Sequence, residues 1–421
     1  MTEVLQQAKE AGVPHSPTDR TKTQPTRQWD GRLAVQGWLA SRLILAVIAL
    51  SLILAGHLSP AQPFSQWDAA HFIAVADHGY TSLTQTAYFP GLPLLMALFH
   101  LVGIPPVATG VAGSLVGSGL AAWAVYRLAG GSTQGTIAVL AWSFAPMTVF
   151  TFVPYTEAIF CAFAFWAFWY AKQDNWTWAG ILAAGACAFR VSGLFLVGAL
   201  GIIALWGRNS TPPRFMAARS GQAGLVGPGP TDSGPGNPGP AWRQRLRRVA
   251  WLGLPTAVLV AYVIYLRISF GSWTTWFHAQ GEGWGREFAW PWQAVDTTLR
   301  VAGVIGEGGW QSTSVIFCWE VAAAVVGLGV AIWCFATRKV PEGSWVGIQV
   351  LALSCQMWVI SLARSIVLWF PLFTLAGRSG TTRLGGATGV LRWVVVAAGL
   401  VCEATWMVWW ALRFFTGAWA G

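Results

Sequence analysis

Charge is scarce in this sequence. Only 10% of its 421 residues are Asp, Glu, Lys or Arg, where a soluble protein carries about one quarter. With 55% hydrophobic residues, that scarcity excludes an ordinary soluble domain. Alternating apolar patterning is also missing. Continuous apolar runs recur from Leu39 to the C-terminus. A bilayer demands that backbone polar groups be satisfied internally, so helices rather than a barrel are expected. Cysteine is sparse. Cys161, Cys187, Cys318, Cys334, Cys355 and Cys402 all lie in apolar runs and none forms a Cys-x-x-Cys pair. This excludes a disulfide framework and a cysteine metal site, and leaves packing. There is no Ala-x-Ala-like cleavage site after the first apolar run, which is expected to stay as an uncleaved membrane helix. No nucleotide-binding loop, Asp-x-Asp motif or repeat between the two halves is visible.

The charge that is present is mostly positive, with a formal net of +10. It concentrates in the N-terminal tail and one loop, the pattern of cytoplasmic segments, so nucleic acid is rejected as a partner. The bias to Arg over Lys suits a GC-rich, bacterial origin. Residues 1–35 read as a disordered cytoplasmic tail and 36–421 as one transmembrane domain of about 9–11 spanning or half-spanning helices. The first span is expected at Leu39–Leu58, with Arg42 near its inner end. A first outer loop follows at 59–90, a Gly/Pro-rich basic cytoplasmic loop at 207–248, and a Trp-rich second outer loop at 269–310. Later spans are expected at Trp345–Leu362 and Leu391–Leu412, among others. Leu92–Val102 is shorter than the roughly 20 residues that a span needs, so it reads as half-buried. That choice puts Arg127 and Lys172 inside and Glu157 outside, and it requires a helix break at Arg190. The rival count makes Leu92–Val102 a full crossing and moves Glu157 inside.

The first long polar stretch after the first span runs Gln66-Trp67-Asp68-Ala69-Ala70-His71-Phe72 and on to Gly79-Tyr80. If Trp67–His78 is helical, Asp68, His71, Val75 and His78 share one face and Asp77 lies on the other. The plain alternative is a solvated surface helix. Four ionisable residues fall at membrane depth: Glu157, Arg190, Arg364 and Glu403. Such residues are costly there and are functional or paired. Glu157 also fits a helix N-terminal acid with Thr156 as cap. Glu403 is expected to pair with a neighbouring helix. In the second outer loop His278, Gln280, Trp284 and Arg286 offer donors and an aromatic face for a sugar or phosphate; an interfacial aromatic belt is the alternative.

Arginine binds phosphate bidentately and stays charged, and a carboxylate can deprotonate an attacking hydroxyl. An outer-facing Asp with intramembrane Arg therefore suits transfer from a lipid-linked sugar phosphate, with cations on the leaving group.

These residues also carry a family pattern. Trp67-Asp68-x-x-His71-Phe72, Gly79-Tyr80 and Tyr88-Phe89-Pro90-x-x-Pro93 resemble the first luminal loop of the PIG-V family, the GPI mannosyltransferase II proteins and their bacterial relatives. Tyr155-Thr156-Glu157-Ala158, Arg190-x-x-Gly193, Phe270-Gly271-Ser272 with Ala279-Gln280-x-x-x-Trp284, and Arg364 before Phe370-Pro371-Leu372-Phe373 follow in the family's order. The resemblance covers roughly residues 36–377. Tyr88-Phe89-Pro90 departs from the more usual Phe-Phe-Pro, and the 207–248 loop has no counterpart.

The resemblance implies a GT-C glycosyltransferase fold and an inverting transfer of mannose from polyprenyl-phosphate mannose. The acceptor would be a glycolipid or cell-surface glycan outside a bacterial plasma membrane, with a cytoplasmic N-terminus. A bacterial origin argues against a GPI acceptor. Asp68 would be the general base, Trp67 a wall of the sugar site, and His71 a group that orients Asp68 or touches substrate. Arg190 and Arg364, then His278 and Arg286, would meet the donor phosphate. Glu157 would position the acceptor or an Arg. No cofactor is implied, although Asp68, His71 and His78 on one face keep a metal conceivable. The competing classes are a lipid-linked-sugar transporter or flippase, and a non-catalytic scaffold of the same fold.

Overall fold

The computed structural model describes residues 31–207, 241–306, 309–381 and 387–420. Among these residues the chain is helical and forms no strand beyond one isolated bridge, Phe288 to Gln356. In chain order the helices are α1 (Gly31–Leu54), α2 (Asp68–His78), α3 (Gly91–His100), α4 (Pro106–Leu128), α5 (Ser132–Phe144), α6 (Glu157–Lys172), α7 (Trp176–Phe189) and α8 (Gly193–Trp206). They continue as α9 (Ala241–Trp251), α10 (Gly253–Phe270), α11 (Thr275–Trp284), α12 (Pro291–Val301), α13 (Ser314–Ala336), α14 (Val340–Ser354), α15 (Leu362–Ser365), α16 (Phe370–Thr381) and α17 (Ala387–Phe415). Five stretches are long and apolar enough to cross a membrane: α1, α4, Trp242–Phe270, α13 and Val390–Phe415. Shorter apolar helices, α3, α7 and α8, lie among them. The protein is an all-α polytopic membrane protein.

Burial follows composition. α6 (EAIFCAFAFWAFWYAK) is apolar on every side, and most of it is buried, as a helix without a polar stripe must be. It packs between α4 and α7. Gly117 of α4 permits the approach to α6, because a Cβ there would lie 2.8 Å from the Ile159 amide nitrogen. Trp142, Phe160, Phe165, Phe168, Trp345 and Phe370 fill the centre. α1 instead turns Leu39, Leu43, Val47 and Leu50 outward.

Several boundaries differ from the sequence reading. α1 begins at Gly31, so residues 31–35 are helical, while residues 1–30 lie outside the described residues. Arg42 is therefore well inside α1, buried, and its Nη1 donates to Thr151 Oγ1 at 2.9 Å. The basic loop ends sooner than expected. Residues 241–248 belong to α9, and residues 208–240 lie outside the described residues.

The expected span Trp345–Leu362 stops at Ser354. Irregular backbone continues to Ser361, and its polar groups find partners inside the protein, as they must at such depth. Met357 N–H donates to the Glu287 carbonyl at 2.9 Å, and Val359 N–H to Thr298 Oγ1 at 2.8 Å. Sequence periodicity cannot see those distant acceptors.

The helix pair α7–α8 does break at Arg190, whose backbone is extended (φ −153°, ψ 147°). Gly193 allows the tight restart, since a Cβ would meet Cys187 Cα at 2.7 Å.

Candidate active site

α2 starts abruptly. Trp67 holds a positive φ of 54° and leaves its indole 44% exposed. Such backbone strain costs about 1–3 kcal/mol and concentrates at functional sites. The next residue, Asp68, donates its N–H to the buried Tyr155 hydroxyl at 3.2 Å. A carboxylate in the first turn of a helix is favoured by the exposed amides there.

Both carboxylate oxygens of Asp68 are engaged. Oδ1 accepts from the Tyr88 hydroxyl at 3.0 Å and Oδ2 from Arg364 Nη1 at 2.7 Å. Arg364 continues the chain of charge. Its Nε lies 3.0 Å from Glu157 Oε1, and Arg190 Nη1 approaches the same oxygen at 2.6 Å. Arg190 Nη1 also donates to Thr156 Oγ1 at 2.9 Å. Thr156 therefore serves Arg190 and forms no side-chain cap on α6. Glu157 is wholly buried, and its Oε2 has no hydrogen-bond partner among the described residues. The Arg364 guanidinium lies over Phe150 and Tyr155, 5.4 and 5.5 Å from the ring centroids.

Arg286 stands beside this network. It forms no ion pair among the described residues, and its Nε is buried without a partner. Its Nη2 reaches Ser361 Oγ only at 3.5 Å, and its guanidinium sits 5.9 Å from the Trp284 ring centre. Burial, with the neighbouring Arg364 charge, brings the Arg286 pKa down to about 10, so it remains a cation at neutral pH. For Asp68, burial pushes the carboxyl upward. The Arg364 charge and hydrogen bond and the Tyr88 hydroxyl outweigh it and hold Asp68 below the ordinary aspartate value. Burial and the Asp68 charge push the Tyr88 phenol well up, so it stays a donor. Three guanidinium groups thus meet two carboxylates, which leaves one positive charge in excess for an anion to balance.

Five of the residues singled out from the sequence meet in one connected group: Asp68, Glu157, Arg190 and Arg364 by direct contact, with Arg286 alongside. Trp284 packs edge-on to Tyr88 at 5.6 Å. His71 does not bond to Asp68; it stacks on Tyr88 at 5.1 Å. Gln280 is buried with Oε1 unpartnered among the described residues. His278 is exposed and 3.3 Å from Thr274 Oγ1, apart from the network. The expected polar face of α2 is not a ligand set. Its buried stripe is Ala69, Phe72 and Val75, and His78 is exposed at the far end. No three His, Cys, Asp or Glu side chains converge on a metal position among the described residues. Glu403 shows no ion pair among the described residues; with Arg392 it borders a cavity of about 500 Å³ between α5, α16 and α17.

No protein-family model matches the chain. Part of it aligns with curated proteins. It is 33% identical over 151 residues to GPI alpha-1,6-mannosyltransferase 2 of Rattus norvegicus, covering 32% of this chain and 30% of that protein. It is 32% identical over 150 residues to the Mus musculus protein and over 151 residues to the Homo sapiens protein, with the same coverage. The similarity is to mannosyltransferases. It supports the PIG-V-like resemblance carried by the motifs, over about a third of the chain. The chain spans about 30% of the length of the curated relatives it matches.

Sequence reasoning missed three members of the site. Tyr88 and Tyr155 lie in quoted motifs but were given no role, because a Tyr in an apolar context reads as packing. Glu320 was overlooked altogether, although it is the one charged residue of the apolar α13.

Proposed function

We propose that the protein is an integral-membrane inverting mannosyltransferase of the GT-C type. In this reading it transfers mannose from polyprenyl-phosphate mannose to a hydroxyl of a glycolipid or cell-surface glycan, outside a bacterial plasma membrane. The observation that carries the proposal is Asp68, ionised, held by Tyr88 and Arg364, and set beside Arg286, which has no ion pair among the described residues. The similarity to named mannosyltransferases supports the sugar.

The acceptor oxygen attacks the anomeric carbon, and its proton passes to Asp68. The bond from that carbon to the phosphate oxygen breaks with inversion, and polyprenyl phosphate leaves as the anion. Arg286 binds the donor phosphate, and Arg190 and Arg364 stabilise the charge that grows on it. Asp68 is a weak base while Arg364 holds it. A donor phosphate that shares Arg364 loosens that pairing and strengthens the base only when substrate is present. Trp67, exposed at the mouth, walls the sugar.

Two features support the sidedness. α6 begins at Glu157 and ends at Lys172, so the site and this basic end lie at opposite ends of one helix. Lys172 pairs with Glu342, and Asp174 with Arg248 at 2.9 Å. Basic residues favour the cytoplasmic side, which leaves Asp68 outside.

The test is transfer of labelled mannose from synthetic polyprenyl-phosphate mannose by purified protein, with total lipid extract as acceptor, beside Asp68→Asn. We expect transfer by wild type and its collapse in the variant. Equal transfer by both removes Asp68 from the chemistry. No transfer by either, with folded protein, favours the transporter or scaffold reading.

A further inference from the structure

α13 crosses the bundle as 23 apolar-rich residues with a single charge, Glu320, which is fully buried. A carboxylate at such a place is tolerated only when its oxygens are well bonded. Here they are. Oε1 accepts from Ser361 N–H at 3.0 Å, and Oε2 from Leu362 N–H at 2.7 Å and Ala363 N–H at 2.8 Å. These are the orphan amides that open α15. Ser361 itself supplies no side-chain cap, and its backbone is in the left-handed region at φ 63°, a costly conformation for serine. α15 has four residues. A helix of that length does not persist alone in water. Its third residue is Arg364, which bridges Asp68 and Glu157.

We infer that Glu320 is a positioning residue: from α13 it anchors the strained turn that carries Arg364, and so fixes that guanidinium between Asp68 and Glu157. The carboxylate matters as such. Glutamine has one acceptor oxygen and would turn an amide N–H₂ toward backbone N–H groups. Aspartate keeps both oxygens on a stem one methylene shorter. The consequence for the proposed reaction rests on the mannosyltransferase reading; the anchoring itself does not.

The experiment compares wild type, Glu320→Gln and Glu320→Asp as full-length protein in lipid nanodiscs, each checked for a monodisperse elution. Backbone hydrogen exchange reads two peptides, 359–366 and 67–72. Transfer of mannose is measured against pH. In Glu320→Gln we expect faster exchange at 359–366. Faster exchange is also expected at 67–72, because Asp68 loses its partner. Transfer should fall by at least about ten-fold in kcat with a smaller change in KM, and the acid limb of the pH profile should move upward as Asp68 loses the cation that keeps it ionised. Glu320→Asp should lie between the two. Unchanged exchange at 359–366 overturns the anchor. Faster exchange there with 67–72 and the acid limb unmoved overturns the positioning role. If wild type transfers no mannose, the functional proposal falls, and the two peptides alone decide the positioning role. If Glu320→Gln does not fold, Glu320→Asp carries the same readouts.

Discussion

Replacing Arg364 with glutamine is the sharpest test of how the site is balanced. Arg364 pairs with Asp68 at 2.7 Å and Glu157 at 3.0 Å, and the Arg364 and Asp68 side chains are only 12% and 18% exposed. Removing one partner of a buried ion pair typically costs about 3–5 kcal/mol, since the other charge is left uncompensated. Glu157 keeps Arg190; Asp68 keeps the Tyr88 hydroxyl. The deficit therefore falls mainly on Asp68. Its carboxyl is depressed in the wild type, so the stability it contributes is present above the unfolded-state pKa and is lost as pH falls through the folded-state value. Without Arg364, burial is opposed only by the Tyr88 hydrogen bond and the Arg190 charge, and Asp68 takes up a proton at higher pH. Thermal melts across pH 3–8 should then show the acid-side loss of stability starting earlier in the variant. In the transfer assay the acid limb of kcat/KM should move in the same direction, and the maximal rate should fall by about 10² or more, as for loss of a transition-state cation. Melts and acid limb that both coincide with wild type would refute the pairing and the balance argued from it.

Tyr88→Phe removes one hydrogen bond to Asp68 while preserving the stacking on His71; we expect about 1 kcal/mol lost in stability and a smaller upward move of the acid limb, read in the same assays. Arg286→Gln should raise the KM for the polyprenyl donor about ten-fold or more while leaving the melting temperature close to wild type, because Arg286 has no ion pair to lose among the described residues. Gly193→Ala should destabilise by about 1–3 kcal/mol, because its Cβ would press on Cys187 backbone at 2.7 Å; a thermal shift measures it. An unchanged melt would mean that the α7–α8 junction can yield.

The sequence made the class of protein legible and much of the charged network nameable. Continuous apolar runs gave a helical membrane protein, and charges stranded inside them pointed to Glu157, Arg190 and Arg364. The break at Arg190 followed from the sidedness that keeps Arg127 and Lys172 inside. Partnership was not legible. Whether Arg364 faces Asp68, 296 positions away, is settled by the packing of α13, α14 and α15, and no local pattern encodes it. The break after Ser354 was hidden for the same reason, since its backbone is satisfied by Glu287, Thr298 and Glu320 from elsewhere in the chain. Glu320 carried a visible signal, an acid inside an apolar span. His71 shares a motif and a helical face with Asp68 and His278 a loop with Arg286, yet one stacks on Tyr88 and the other bonds to Thr274.

The lengths of the central helices bear on the bilayer itself. α6 has 16 residues and α7 and α8 have 14 each, or about 24 and 21 Å at 1.5 Å per residue. The hydrocarbon core of a bilayer is about 30 Å thick. None of these helices is long enough to reach from one face of such a slab to the other, so their ends must be covered by protein rather than lipid, as α6 is between α4 and α7.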